Sequence, residues 1–113
     1  MMFSLALSGL LADTPSPGPS CAIPDRAPSV TRAEKPVYPA SALDLGLGRV
    51  TVLVLVTVSP AGTASAAHIT LSSHNMAIDY AALKAARESV YTPAVRNCEY
   101  VEGETTFEAD FTP

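Results

Sequence analysis

Residues 49–59 read Arg-Val-Thr-Val-Leu-Val-Leu-Val-Thr-Val-Ser, with a valine at every second position. Successive side chains of an extended chain point to opposite sides, so the five valines lie on one face. The other face carries Thr51, Leu53, Leu55 and Thr57 and is half apolar. An apolar period of two in β-branched residues is typical of a β-strand. Because both faces carry apolar side chains, we expect this strand to lie at the centre of a sheet.

The residues on either side of this strand predict where its neighbours begin and end. Before it, residues 40–45 favour one or two helical turns, which Gly46 and Gly48 end. After it, the Ser-Pro-Ala-Gly order of residues 59–62 is typical of a tight turn. A second alternating run follows at 64–72, so the two strands form a predicted hairpin.

The C-terminal half contains a predicted helix and a last strand. We expect Asp79 to cap a helix over 79–89, and Pro93 to prevent the helix from continuing. The predicted apolar face of this helix comprises Ile78, Ala82, Ala85 and Ser89. Residues 104–112 alternate again, which predicts a strand with its aromatic residues toward the helices.

These elements follow one another in the order α-β-β-α-β. The predicted fold class is α+β, with two layers: a three-stranded antiparallel sheet and two helices on one of its faces. With the most apolar strand at the centre, the spatial order of the strands is 2-1-3, and the crossover through the helix takes its usual right hand. The last strand then lies at an edge and keeps one row of backbone donors and acceptors unpaired.

Composition divides the chain of 113 residues into three parts. Residues 1–12 are apolar and end in small residues, as a secretory signal does, and they are too few to span a bilayer. Residues 13–35 are rich in Pro and Ser, which predicts an extended tail, and residues 36–113 form the predicted domain. We expect an exported protein without an integral membrane span. The alternative is an apolar first element of a cytosolic domain.

Charge and cysteine content narrow the partners and the compartment. Seven basic and eleven acidic residues give a net charge of −4, which argues against binding nucleic acid or an anionic membrane surface. Cys21 and Cys98 are too few to hold zinc by themselves and lack a Cys-x-x-Cys spacing. They either form a disulfide in an exported protein or stay reduced in a cytosolic one. Because we expect export, we predict the disulfide, which in the chain-entropy model stabilises the fold by about 4 kcal/mol.

We find no residue pattern that indicates catalysis, a metal centre or a cofactor site. His68 and His74 are the histidines of the chain, and a spacing of six is poor for a metal pair. A pairing of Ser73 with His74 lacks an orienting acid and an oxyanion-hole motif. The Gly-Leu-Gly of residues 46–48 precedes a strand rather than a helix, so it predicts no phosphate loop. We expect a binding module rather than an enzyme, and a hydrolase using Ser73 and His74 is a further alternative.

A set of residues occurs in a fixed order within and between the predicted elements. They are Tyr38-Pro39 with Ala42, Gly48 before the valine strand, Gly62 in the turn, Ser72-Ser73, Ile78-Asp79 with Ala81-Ala82, Tyr91, Pro93-Ala94 and Phe111. Over residues 36–111, this order resembles the C-terminal domain of TonB-family proteins. His74-Asn75 and Asn97-Cys98 depart from the family's usual residues. The second departure predicts that Cys98 lies in a surface loop, where we expect an extended tail carrying Cys21 to reach it.

The resemblance implies a periplasmic protein-binding module. Proteins of this family pair their last strand with a short extended segment of an outer-membrane transport receptor, through backbone hydrogen bonds. Carried over to this chain, the partner-binding edge consists of Thr105, Thr106, Phe107, Glu108, Ala109, Asp110 and Phe111. An exposed edge of this kind also allows a strand-exchanged homodimer.

Two features leave alternatives open. An energy transducer of this family has an inner-membrane helix and a long Pro-rich span, and we expect neither in this chain. Export and a disulfide then also fit a structural or interaction domain without a role in energy transduction. The acidic residues of the C-terminal third are Glu99, Glu102, Glu104, Glu108 and Asp110. They either steer a basic partner to the last strand or are solvated charges that keep an edge strand from aggregating.

Overall fold

The computed structural model describes residues 22–113, so the predicted signal-like segment at 1–12 and Cys21 lie outside the described residues. The helices of this range are α1 (Ala40–Leu43) and α2 (Met76–Glu88). Its strands are β1 (Ser29–Arg32), β2 (Val50–Val58), β3 (Ala64–Leu71), β4 (Val90–Thr92), β5 (Ala94–Arg96), β6 (Glu99–Val101) and β7 (Gly103–Phe111). Neither described helix has the length and the apolar character that crossing a membrane requires.

A three-stranded antiparallel sheet in the order β3–β2–β7 forms the frame of the domain. All nine residues of β2 pair with β7 in one unbroken register, from Val50 opposite Phe111 to Val58 opposite Gly103. β2 and β3 form the hairpin, which closes at a turn where the Gly62 N–H donates to the Ser59 carbonyl at 2.9 Å. The prediction of an α+β fold with antiparallel strands is confirmed, and the described residues include two helices.

The alternation in β2 buries one row of its side chains, as its sequence predicts. The four valines at positions 52, 54, 56 and 58 are fully buried, whereas Thr51 is exposed. The rest of the core includes Phe107, Ala109 and Phe111 from β7 and Ile78, Ala82, Ala85 and Ala86 from α2. Burying a Val or Phe side chain contributes roughly 1.5–3 kcal/mol. Small alanines on α2 let the helix pack closely on the three strands, which it contacts.

Helix α2 begins at Met76, three residues before the predicted start. Asn75 is its N-cap, and the Asn75 side-chain oxygen accepts a hydrogen bond from the Ile78 N–H at 3.0 Å. The prediction that Asp79 caps the helix is therefore wrong. Asp79 lies in the first turn, where a negative charge is favourable beside the helix N-terminus. Asn and Asp are equally good caps, so residue type alone does not distinguish the two positions.

Two small antiparallel sheets, which no sequence pattern predicts, complete the described fold. β1 pairs with β4, and β5 pairs with β6. The tail also bridges to β5, with Arg26 N 2.8 Å from Val95 O and Val95 N 2.9 Å from Arg26 O. Residues 24–34 therefore run along residues 89–98. Strands of three or four residues are too short to show a period of two, so the sequence pattern did not predict them.

Candidate protein-binding edge

β7 is an edge strand of the three-stranded sheet. Within residues 22–113, it pairs with β2 on one side, and no strand pairs with its other side. β1 contacts β7 but pairs with β4 instead. The backbone groups of alternate residues in a strand point to opposite sides, so about half of the N–H and C=O groups of β7 face the open side. These groups form a regular ladder that an added strand completes.

The opposite edge of the same sheet, β3, is less regular. It has two bulges, at Thr70 and Ser65, which are extra residues relative to β2. Thr70 Oγ1 donates to Leu53 O at 3.3 Å, and Ser65 Oγ donates to Thr57 O at 3.2 Å. Bulges twist an edge and interrupt its pairing, and they are a common protection against unwanted strand addition. β7 pairs without a register shift, so it is the edge better suited to an extended partner.

The side chains of β7 form two rows on opposite faces of the sheet. The inward row consists of Thr105, Phe107, Ala109 and Phe111, of which the last three are buried. The outward row consists of Glu104, Thr106, Glu108 and Asp110, all of them exposed. The structure therefore places the seven predicted platform residues together on one edge strand. Their role in binding a partner stays a prediction.

Both ends of β7 are held in place by the segment that precedes β2. At the C-terminal end, the Tyr38 ring meets the Phe111 ring edge-on, with centroids 6.2 Å apart and an interplanar angle of 86°. The Tyr38 hydroxyl donates to the Gly48 carbonyl at 3.0 Å. At the N-terminal end, Pro28 packs against Gly103 so closely that a Cβ there would lie 3.0 Å from Pro28 Cγ. An edge held at both ends loses less conformational entropy when it binds a partner.

A groove of about 590 Å³ opens beside the first residues of β7. Residues 25–28, 94–96 and 102–104 line it. Arg26 Nη2 donates to the Pro93 carbonyl at 3.2 Å, and Arg26 Nε is buried with no hydrogen-bond partner among the described residues. The groove exists because the tail packs against β5, a contact that the sequence pattern does not indicate.

The serines before α2 belong to a helix-start network rather than to a Ser–His pair. Ser72 Oγ donates to Asp79 Oδ2 and Ser73 Oγ donates to Asp79 Oδ1, both at 2.6 Å. The backbone N–H of His74 donates to Ser72 Oγ at 2.9 Å, and the side chain of His74 is exposed. Partial burial raises the pKa of Asp79, but these hydroxyls, the Ser73 N–H and the charge of His74 together hold it below its ordinary value. In the described part of the chain, no three His, Cys, Asp or Glu side chains are grouped to hold a metal ion.

The turn between β5 and β6 lies beside the start of the described tail. Cys98 in this turn has a φ of 65°, and its N–H donates to the Pro24 carbonyl at 3.0 Å. The Asn97 N–H donates to the Asp25 carboxylate at 3.2 Å. Pro24, which contacts Cys98, is therefore only three residues after Cys21 in the sequence. Because Cys21 lies outside the described residues, the disulfide stays a prediction.

The family comparison agrees with this arrangement of strands and helices. A family model described as "Gram-negative bacterial TonB protein C-terminal" matches residues 34–113. The matched range contains the three-stranded sheet, both described helices and the whole of β7. β1 and Arg26 precede it. No curated protein matches the chain. The chain belongs to the TonB C-terminal domain family.

Proposed function

We propose that this chain is a periplasmic protein-binding module that pairs the open edge of β7 with an extended segment of an outer-membrane transport receptor. Domains of this family are typically periplasmic and generally interact with outer-membrane receptors. Binding by strand addition requires backbone groups and no catalytic chemistry. The proposed activity is therefore binding, not enzymatic turnover, and it needs no metal or cofactor.

The observation that carries this proposal is the difference between the two edges of the sheet. β7 pairs with β2 over nine residues in a single register, whereas two bulges interrupt the pairing of β3 with β2. A partner strand along β7 gains about one backbone hydrogen bond per residue, and each bond contributes roughly 1 kcal/mol net. Association and ordering of a free peptide offset about 4–15 kcal/mol, so we expect weak binding by an isolated peptide.

Because we propose that the protein is exported, we also propose that Cys21 and Cys98 form a disulfide. The hydrogen bond from the Cys98 N–H to the Pro24 carbonyl supports it, because it holds the chain just after Cys21 beside Cys98. Intact-mass measurement of the periplasmic protein after thiol alkylation tests it. We expect no alkylation before reduction and two alkylated cysteines after it. Two alkylated cysteines without reduction would refute the disulfide.

The binding proposal is tested by titrating the isotope-labelled full chain with peptides from the periplasmic N-termini of outer-membrane receptors of the same genome. We expect backbone NMR shifts concentrated in β7, up to millimolar peptide concentrations. Shifts concentrated in β3, or none with any receptor peptide, would contradict the proposal.

A matched pair of variants locates the partner independently. Leu55 lies opposite Thr106 on β7 and opposite His68 on β3, and both of these residues are exposed. A photo-crosslinking amino acid at position 106 is expected to capture the receptor peptide, and the same amino acid at position 68 is not. Equal crosslinking from both positions would mean that the peptide does not select the β7 edge.

The alternative function is an exported, disulfide-bonded structural or interaction domain without a role in energy transduction. Residues 24–33 run along residues 89–98 but precede the range that the family model matches. This addition to the matched domain favours the alternative. Failure of every receptor peptide to bind, with the disulfide intact, would support this alternative. A strand-exchanged homodimer would appear as a concentration-dependent increase in mass.

A further inference from the structure

We propose that the segment that pairs with β7 alternates apolar and basic residues, with its Lys or Arg side chains beside the outward row of β7. This inference rests on the proposed function, because it specifies the chemistry of the partner that binds the same edge. It follows from the side chains that lie beside the outward and the inward row of β7 in the described structure.

The two glutamates of the outward row have uncharged neighbours on the side of β2. Glu104 lies opposite Thr57, and Glu108 lies opposite Leu53. The ion pair found among the described residues lies on α2 and involves neither of them. Asp110 differs, because it accepts a hydrogen bond from the Thr51 hydroxyl at 2.7 Å. The carboxylates without a partner from β2 are therefore Glu104 and Glu108.

An added strand would give both glutamates a second neighbour, on the open side of β7. Side chains directly opposite each other in paired strands have Cβ atoms about 4.5–5.5 Å apart, where opposite charges attract and like charges repel. Glu104 and Glu108 are four residues apart and share a face. A partner with Lys or Arg at two positions four residues apart places one cation beside each carboxylate, and an acidic partner is repelled at the same positions.

The inward row requires the opposite chemistry of the same partner. Phe107 and Phe111 are no more than 2% exposed, the Tyr38 ring meets the Phe111 ring edge-on, and Val30 packs against the same core. Partner side chains on this face would lie beside apolar surface, and burying polar side chains there without hydrogen bonds is unfavourable. Alternation of the two rows on β7 therefore predicts alternation in the partner.

The same glutamates also act against self-association. Pairing of β7 with the β7 of a second copy would bring acidic rows together, which is a known way of protecting edge strands. Protection alone predicts that neutralising the glutamates improves, or leaves unchanged, the binding of any strand. Recognition of a basic partner predicts that neutralisation weakens the binding of that partner.

The test uses the isotope-labelled full chain and four nine-residue peptides with acetylated N-termini and amidated C-termini. One peptide alternates Lys and Val, the second has Gln for Lys, and the third has Glu for Lys. The fourth contains the residues of the first in two blocks, so that total charge and alternation are separated. Each is titrated into the parent chain, into the Glu104→Gln/Glu108→Gln variant, and into a Glu34→Gln/Asp44→Asn control. The control removes the same charge from two exposed positions outside β7.

We expect the alternating Lys peptide to bind the parent chain about 3- to 10-fold more tightly than the Gln peptide, with shifts in β7. The Glu peptide and the block peptide bind more weakly than the alternating Lys peptide. The preference for Lys over Gln disappears in the Glu104→Gln/Glu108→Gln variant, persists in the control, and shrinks as salt shortens the Debye length.

Two results would overturn the inference in distinguishable ways. If the Lys, Gln and Glu peptides shift β7 with equal affinity, the partner is not selected by charge, and the proposed edge binding stands. If neither these peptides nor the receptor peptides shift β7, the proposed function fails together with this inference. A Lys preference that survives in the Glu104→Gln/Glu108→Gln variant would also refute the role of the outward row.

Discussion

Replacing Gly62 by alanine is expected to destabilise the domain strongly, because the turn between β2 and β3 is pressed against β4. Gly62 has a φ of +87°, and a Cβ built there would lie 2.6 Å from the Tyr91 carbonyl oxygen. The Tyr91 N–H in turn donates to the Gly62 carbonyl at 3.1 Å. An alanine must therefore adopt an unfavourable conformation and also push the two backbone segments apart.

The expected magnitude has two parts. A non-glycine residue in the left-handed region costs roughly 1–2 kcal/mol. Separating Gly62 from Tyr91 removes a backbone hydrogen bond, which costs about 1 kcal/mol, and loosens the packing around the two residues. The sum is about 3 kcal/mol, which for a domain of this size corresponds to a melting temperature lower by roughly 12–24 °C.

Gly46 is the matched control, because it has a φ of +66° and nothing within 4 Å of a built Cβ. Gly46→Ala therefore costs the conformational part alone, roughly 1–2 kcal/mol. Urea and thermal unfolding of the full chain, followed by circular dichroism, measure both variants. If the two variants differ by less than about 0.5 kcal/mol, the contact between the turn and β4 is not part of the stable fold.

Three other substitutions test the core and the start of α2. Phe107→Ala is expected to lower the free energy of unfolding in urea by about 3–5 kcal/mol, whereas Thr106→Ala on the exposed row changes it by less than about 0.5 kcal/mol. Similar losses in the two variants would contradict the assignment of these residues to a buried and an exposed row. Asn75→Ala is expected to lower the free energy of unfolding by about 0.5–2 kcal/mol and Asn75→Ser by much less. An Asn75→Ala variant as stable as the parent chain would refute the role of Asn75 as the N-cap. Asp79→Asn is expected to cost about 1–2 kcal/mol at neutral pH. Because the folded-state pKa of Asp79 lies below its ordinary 3.8, its contribution is complete above that pH and is lost as the pH falls through the folded pKa. The variant should therefore lose less stability on acidification than the parent chain, and parallel pH profiles would refute this role.

The sequence predicts the elements that have a clear hydrophobic period. β2 at Val50–Val58 lies within the predicted 49–59, because alternating valines bury one face whatever surrounds the strand. β7 at Gly103–Phe111 overlaps the predicted 104–112 for the same reason. The same alternation places residues 105–111 together on the last strand, whereas their role in binding a partner comes from the family resemblance and stays a prediction.

The remaining features depend on contacts between distant residues. The pairing of β1 with β4 joins short segments far apart in the chain, and neither has a periodic pattern of its own. The bulges at Ser65 and Thr70, which distinguish the two edges, are set by hydrogen bonds to β2 that no local pattern indicates. The start of α2 was misplaced because Asn75 and Asp79 both have the chemistry of a cap.

The central claim, binding through the backbone of β7, is tested most directly by a pair of N-methylated peptides. In a strand, alternate N–H groups point to opposite sides, so only one alternate set in the partner bonds to β7. Two versions of a binding receptor peptide are made, with N-methyl groups on the odd or on the even residues, and both are titrated into the full chain. Strand addition predicts that one version keeps its affinity and that the other no longer shifts β7. Equal affinity of the two versions would show that side chains alone hold the peptide, and it would contradict the account.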